Sequence, residues 1–234
     1  MKGFIAITLF VLLSSYHFVD DADNSTVSST IFRVAIDHGL GGQDEGMSFN
    51  GAMEKAITDA IAKQIPQFDL GVSSVHLLGT NDSYETYKER IKDSRHLDLY
   101  ISIHTNYNKA LRSGPSVFYS GKNDHSESSQ AYGKFFASHL SDQSGISQKA
   151  ESELYVLDRL QCPAIHIDAG NLGTIDDFYH LTSEDGQKEI AQKIAKAIHA
   201  LADLKQDNVR IMKAKTLKPK IDALFIKDTN QGKQ

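Results

Sequence analysis

Short β-branched or aromatic runs alternate along this chain with longer stretches of helical periodicity, and that alternation confines it to an α/β architecture. Ile31 to Ile36, Val72 to Leu78, Leu97 to Ile103, Pro115 to Tyr119 and Ala164 to Ile167 are bounded by Gly, Asp, Asn or Pro and read as strands. In the segment 51–65, Met53, Ala56, Ile57, Ala60, Ile61 and Ile65 recur at helical spacing, and Pro66 stops the pattern. Ala131, Tyr132, Phe135, Phe136 and Leu140 repeat this spacing, as do Ile190, Ala191, Ile194, Ala195, Ile198 and Leu201. Strands separated by helices imply a three-layer α/β fold, a mostly parallel or mixed twisted sheet with helices on both faces.

The alternation starts near residue 31 and fades near 204, which sets the expected domain at 31–204. Ahead of it, Met1-Lys2-Gly3 and the apolar run Phe4 to Leu13 predict a signal peptide or short anchor over 1–18. Residues 19–30, acidic and Ser-rich, predict a solvated linker. At the other end, residues 205–234 hold seven Lys and one Arg against three Asp, a net +5 that leaves −10 on the rest of the chain. This segment reads as a basic, solvated tail.

The formal charge of −5, from 25 basic and 30 acidic residues, speaks against a dedicated nucleic-acid binder. The single cysteine, Cys162, excludes an internal disulfide framework and any Cys-based zinc cluster. A bound metal would therefore need His, Asp or Glu ligands.

In an open α/β sheet, ligands and catalytic groups gather beyond the carboxyl ends of the strands. The first strand runs into Asp37-His38-Gly39-Leu40-Gly41-Gly42, the third ends Ser102-Ile103-His104-Thr105-Asn106, and the last ends His166-Ile167-Asp168-Ala169-Gly170. Three strand ends thus deliver His38, His104 and Asp168, and Glu54 on the first helix can face the same crevice. Such a set suits a catalytic Zn2+: three protein ligands, an open position for water and a carboxylate base nearby.

The order of these motifs resembles the zinc-dependent N-acetylmuramoyl-L-alanine amidases of the Amidase_3 type, which hydrolyse peptidoglycan. The resemblance runs from about Phe32 to Leu201. It rests on Ile36 to Gly46, on Met53-Glu54-Lys55, on Asp82 to Arg90, on Ser102-Ile103-His104-Thr105-Asn106, and on Val156-Leu157 with Pro163 to Thr174. It implies a zinc held by Glu54, His104 and one further His, with a carboxylate base at Asp168, and Asn106 at a family position for substrate contact. The family's first ligand His falls on Leu40, and its catalytic Glu falls on the shorter Asp168. His38, two residues before Leu40, is the candidate third ligand if the Gly-rich loop bends differently, and His166, on the same strand face as Asp168, is the alternative.

The resemblance implies an exported hydrolase of the periplasm or cell envelope that cuts the amide between the lactyl group of N-acetylmuramic acid and L-alanine. A relative that binds peptidoglycan without cleaving it is the competing reading. The partner expected is peptidoglycan, with no nucleic acid, a monomeric state, and membrane contact only through an uncleaved leader.

Overall fold

A computed structural model describes residues 31–229 apart from 80, 81, 83, 93, 109–112, 141–147 and 150–154. The expected leader at 1–18 and linker at 19–30 lie outside the described residues. The main sheet has six strands in the order β4-β1-β5-β8-β6-β7. They are β1 (Phe32–Asp37), β4 (Ser73–Leu78), β5 (Leu99–Asn106), β6 (Ser116–Phe118), β7 (Gln148–Lys149) and β8 (Ala164–Asn171). The first four in that order, β4, β1, β5 and β8, run parallel, whereas β6 pairs antiparallel with β8 and so makes the sheet mixed. A separate two-stranded hairpin, β2 (Ser48–Phe49) and β3 (Ala52–Met53), leads into the first helix.

The strands read as continuous apolar runs because both of their faces are covered. All eight residues of β8 are buried. On one face, Val34, Ile36, Ile101, Ile103, Ile165 and Ile167 pack with helices α1 (Glu54–Gln64), α3 (Ser126–Leu140), α5 (Ile175–Thr182) and α6 (Glu184–Thr229). These helices answer with residues one turn apart, Ile57 and Ile61 on α1, Tyr132, Phe136 and Leu140 on α3, and Ile190, Ile194 and Ile198 on α6. On the opposite face, Ala35, Tyr100 and Ala164 pack with the short helices α2 (Tyr87–Ile91) and α4 (Tyr155–Arg159) through Ile91, Val156 and Leu157.

Helix α1 gives way to a 3-10 turn, Ile65–Gln67, where Pro66 takes an early turn position that needs no amide hydrogen. Helix α6 is 46 residues long, so the boundary expected between 204 and 205 falls inside a helix. Among the described residues, no helix is long and apolar enough to cross a membrane.

Candidate active-site crevice

The crevice is built where β1, β5 and β8 end side by side and where α1 begins. Glu54 is the first residue of α1, and its carboxylate is buried there, in the turn that favours negative charge. Met47 and Glu54 clamp the intervening loop onto the helix: the Glu54 amide donates to the Met47 carbonyl at 2.8 Å, and the Met47 amide donates to Glu54 Oε2 at 2.8 Å. The other oxygen, Oε1, accepts from the Thr105 amide at 2.9 Å and from His104 Nδ1 at 3.0 Å.

Burial pushes the Glu54 carboxyl up, but the hydrogen bonds from His104, Met47 and Thr105 together outweigh it and hold the group below 4.5. Glu54 is therefore a carboxylate at neutral pH, which fixes the proton of a neutral His104 on Nδ1. Because the folded value is depressed, the stability Glu54 contributes is present above the unfolded value and is lost as pH falls below about 4.5 through the folded one. Glu54→Gln is accordingly expected to destabilise the protein at pH 7 by about 1–3 kcal/mol, and the gap to the native chain should narrow progressively below pH 4.5 in urea titrations.

The ring of His104 stacks on that of His166 with centroids 4.5 Å apart and planes 14° from parallel. His166 Nε2 lies 2.8 Å from Asp168 Oδ1, as expected for residues two apart on one strand face. Burial lowers the pKa of His166 in spite of Asp168, so a neutral imidazole donates its Nε2 proton to that carboxylate. Asn106 Nδ2 donates to Asp168 Oδ2 at 3.2 Å. The floor of the crevice is thus a continuous row, Glu54, His104, His166, Asp168 and Asn106, in which each side chain holds the next.

Of the residues singled out in the sequence, this row takes in Glu54, His104, Asp168, Asn106 and the alternative His166. His38 lies elsewhere. Its buried Nε2 donates to the Gly79 carbonyl at 2.9 Å, and its buried Nδ1 has no hydrogen-bond partner among the described residues. The glycine-rich loop does bend sharply, with Gly39 at φ +75°, but it brings its backbone rather than an imidazole to the Glu54–His104 pair. A Cβ on Gly39 would lie 2.1 Å from His104 Nε2, so only glycine lets the loop pass over that ring.

Leu40 is buried and shares a neighbour with Glu54: a Cβ placed on Gly46 would stand 2.6 Å from Glu54 Oε2 and also 2.6 Å from Leu40 Cδ1, so this methyl and the carboxylate face the same side of Gly46. Glu54 and His104 supply two donors at one corner, Leu40 offers none, and His38 is turned to Gly79. Among the described residues, no three His, Cys, Asp or Glu side chains converge on a point that would hold a metal ion. The donor set does not fit a three-ligand catalytic zinc.

Beneath this loop lies a cluster that spacing alone does not announce. Asp37, at the end of β1, accepts hydrogen bonds from Arg90 Nη1, from the Tyr100 hydroxyl and from the Gly39 amide. All three side chains are buried. Burial, reinforced by the Asp37 charge, pushes the Tyr100 hydroxyl well above its usual pKa, so it remains a donor. This cluster ties β1, β5 and α2 together under the loop that carries His38, Gly39 and Leu40. The only sequence signal for it was the position of Arg90 at the end of the Asp82 motif.

Mixed-sheet α/β architecture with imidazole and carboxylate groups at the strand ends defines the class. Residues 34–200 match the N-acetylmuramoyl-L-alanine amidase family, Amidase_3, and the chain belongs to that family of peptidoglycan amidases. YqiI of Bacillus subtilis (strain 168) is 29% identical over 178 residues, 73% of this chain and 84% of that protein. The N-acetylmuramoyl-L-alanine amidase LytC of the same organism is 26% identical over 75% of this chain, which spans only 35% of LytC. The crystal structure of N-acetylmuramoyl-L-alanine amidase from Clostridium difficile 630 superposes with a TM-score of 0.62 at 25% identity, covering 74% of this chain and 97% of that one.

Proposed function

We propose that this protein binds peptidoglycan outside the cytoplasm through the amidase crevice and does not hydrolyse it by the family's zinc-dependent route. Family membership supports the substrate class. The observation that supports the non-hydrolytic part is Leu40, a buried aliphatic residue at the chain position where the family pattern has its first ligand His. Asp168, engaged by both His166 and Asn106, acts in this reading as a fixed acceptor that shapes the crevice. The polar row offers amide and carboxylate groups that match the muramoyl–peptide junction.

A second reading is favoured by one observation: Glu54 Oε1 and His104 Nδ1 stand 3.0 Å apart, a separation that two ligands of a single zinc can also have. In that reading Glu54 and His104 would hold a zinc that would supply Lewis-acid activation of water, and Asp168 would be the base for cleavage of the lactyl–alanine amide. Incubating the full chain with purified sacculi separates the two. The first reading expects the protein to sediment with the sacculi and to release no new L-alanine amino termini, with or without added zinc. Zinc-dependent release that is lost in Glu54→Ala would establish the second.

A further inference from the structure

Among the described residues, β4 is an outermost strand of the main sheet, with β1 on one side and no strand on the other. Its pairing with β1 fixes which way each peptide group faces. The Phe32 amide donates to the Val72 carbonyl and Phe32 lies opposite Ser73, so Ser74, His76 and Leu78 turn their amides and carbonyls toward β1. Ser73, Val75 and Leu77 turn theirs outward. The Ser73 amide is already engaged, donating to the Leu70 carbonyl at 3.2 Å. The backbone amides and carbonyls of Val75 and Leu77 have no partner among the described residues. Sheet edges are normally guarded by charge, proline, a bulge or brevity. β4 has none of these guards: its sequence, Ser-Ser-Val-His-Leu-Leu, carries no Lys, Arg, Asp, Glu or Pro, and its six residues follow β1 in unbroken register.

From this we infer that β4 is the interface of a two-fold dimer, pairing antiparallel with β4 of a second copy of this chain. The groups to be satisfied set one register. With Val75 opposite Leu77 of the second copy and Leu77 opposite its Val75, every free amide and carbonyl of these residues in both copies finds a partner. The other register that aligns outward groups along the strand sets Leu77 opposite Ser73, whose amide is already donated to Leu70, and leaves a Leu77 carbonyl unpaired. The side chains agree with the first. Val75 and Leu77, partly buried against the main core cluster, meet their counterparts and extend that apolar face across the two-fold axis. His76, exposed on the other face, meets His76 of the second copy. The chain is then a dimer rather than the monomer expected from its sequence. Because the strands run antiparallel across the join, the two crevices open at opposite ends of one continuous sheet, and the dimer does not depend on what the crevice binds.

Sedimentation equilibrium of the full chain at micromolar concentration is expected to show the dimer. His76→Lys, at an exposed position, sets two like charges face to face and should weaken it about fivefold with circular dichroism unchanged. Val75→Pro removes an amide that β1 does not use and the dimer uses once in each copy, and should weaken it at least about tenfold. His76→Cys should crosslink the two copies under mild oxidation, because a non-hydrogen-bonded antiparallel pair holds its Cα atoms about 4.5 Å apart, within disulfide reach. Ser74→Cys should not, since Leu78 stands opposite it, and the native Cys162 is buried. A full chain that sediments as a monomer overturns the inference. So does a dimer that survives both His76→Lys and Val75→Pro, or one that crosslinks through Ser74→Cys and not through His76→Cys, because the copies then join through another surface or another register.

Discussion

Replacing Leu40 with His is expected to raise zinc affinity by at least about 100-fold over the native chain, because the new imidazole supplies the third donor beside the Glu54–His104 pair. The substitution places an imidazole at the chain position where the family pattern has its first ligand, so the gain should appear in the Leu40→His variant and not in Leu40→Asn. It should vanish when Glu54→Ala is added. If Leu40→His binds no more zinc than the native chain, the Glu54–His104 corner is not where this fold would hold a metal, and the reading of Leu40 as the missing ligand position fails.

The second large effect concerns stability. Arg90 and Asp37 form an ion pair whose side chains are only 5% and 2% exposed, and Asp37 is further held by Tyr100 and by the Gly39 amide. Removing one member of a buried pair leaves the other charged and uncompensated, which costs about 3–5 kcal/mol. A domain of this kind has a total stability of only about 5–15 kcal/mol, so Arg90→Ala is expected to shift the urea midpoint sharply downward or to abolish folding at 37 °C. Asp37→Asn likewise leaves the buried Arg90 guanidinium uncompensated and is expected to cost a similar amount. Equal stability of Arg90→Ala and the native chain would show that the pair is not a structural anchor.

Much of the fold was legible because two periodicities differ physically. The strands expected at Ile31 to Ile36, Val72 to Leu78, Leu97 to Ile103 and Ala164 to Ile167 correspond to β1, β4, β5 and β8, and the three helical stretches to α1, α3 and part of α6. Most of the elements that escaped were too short to repeat a period, α2 and α4 with five residues each and β2, β3 and β7 with two, and the eight-residue α5 escaped as well. Helix α6 continues to Thr229, through the segment read as a basic tail, whose lysines are good helix formers.

At the crevice, sequence spacing identified which strand ends meet but not which way each side chain turns. His166 and Asp168 follow strand alternation, which put them on one face in the sequence, and the fold brings them into contact at 2.8 Å. His38 sits just past β1, where alternation no longer applies, and its direction is set by a carbonyl 41 residues away, Gly79. Asn106, expected to touch substrate, donates a hydrogen bond to Asp168. Leu40 was visible as a departure from the family pattern, yet only the fold sets its methyl and the Glu54 carboxylate on the same side of Gly46.

The zinc content of the native chain after exhaustive dialysis against metal-free buffer tests the central claim most directly. The account predicts well below one equivalent, unchanged by Glu54→Ala or His104→Ala. One tightly retained equivalent, lost in both variants, would contradict it.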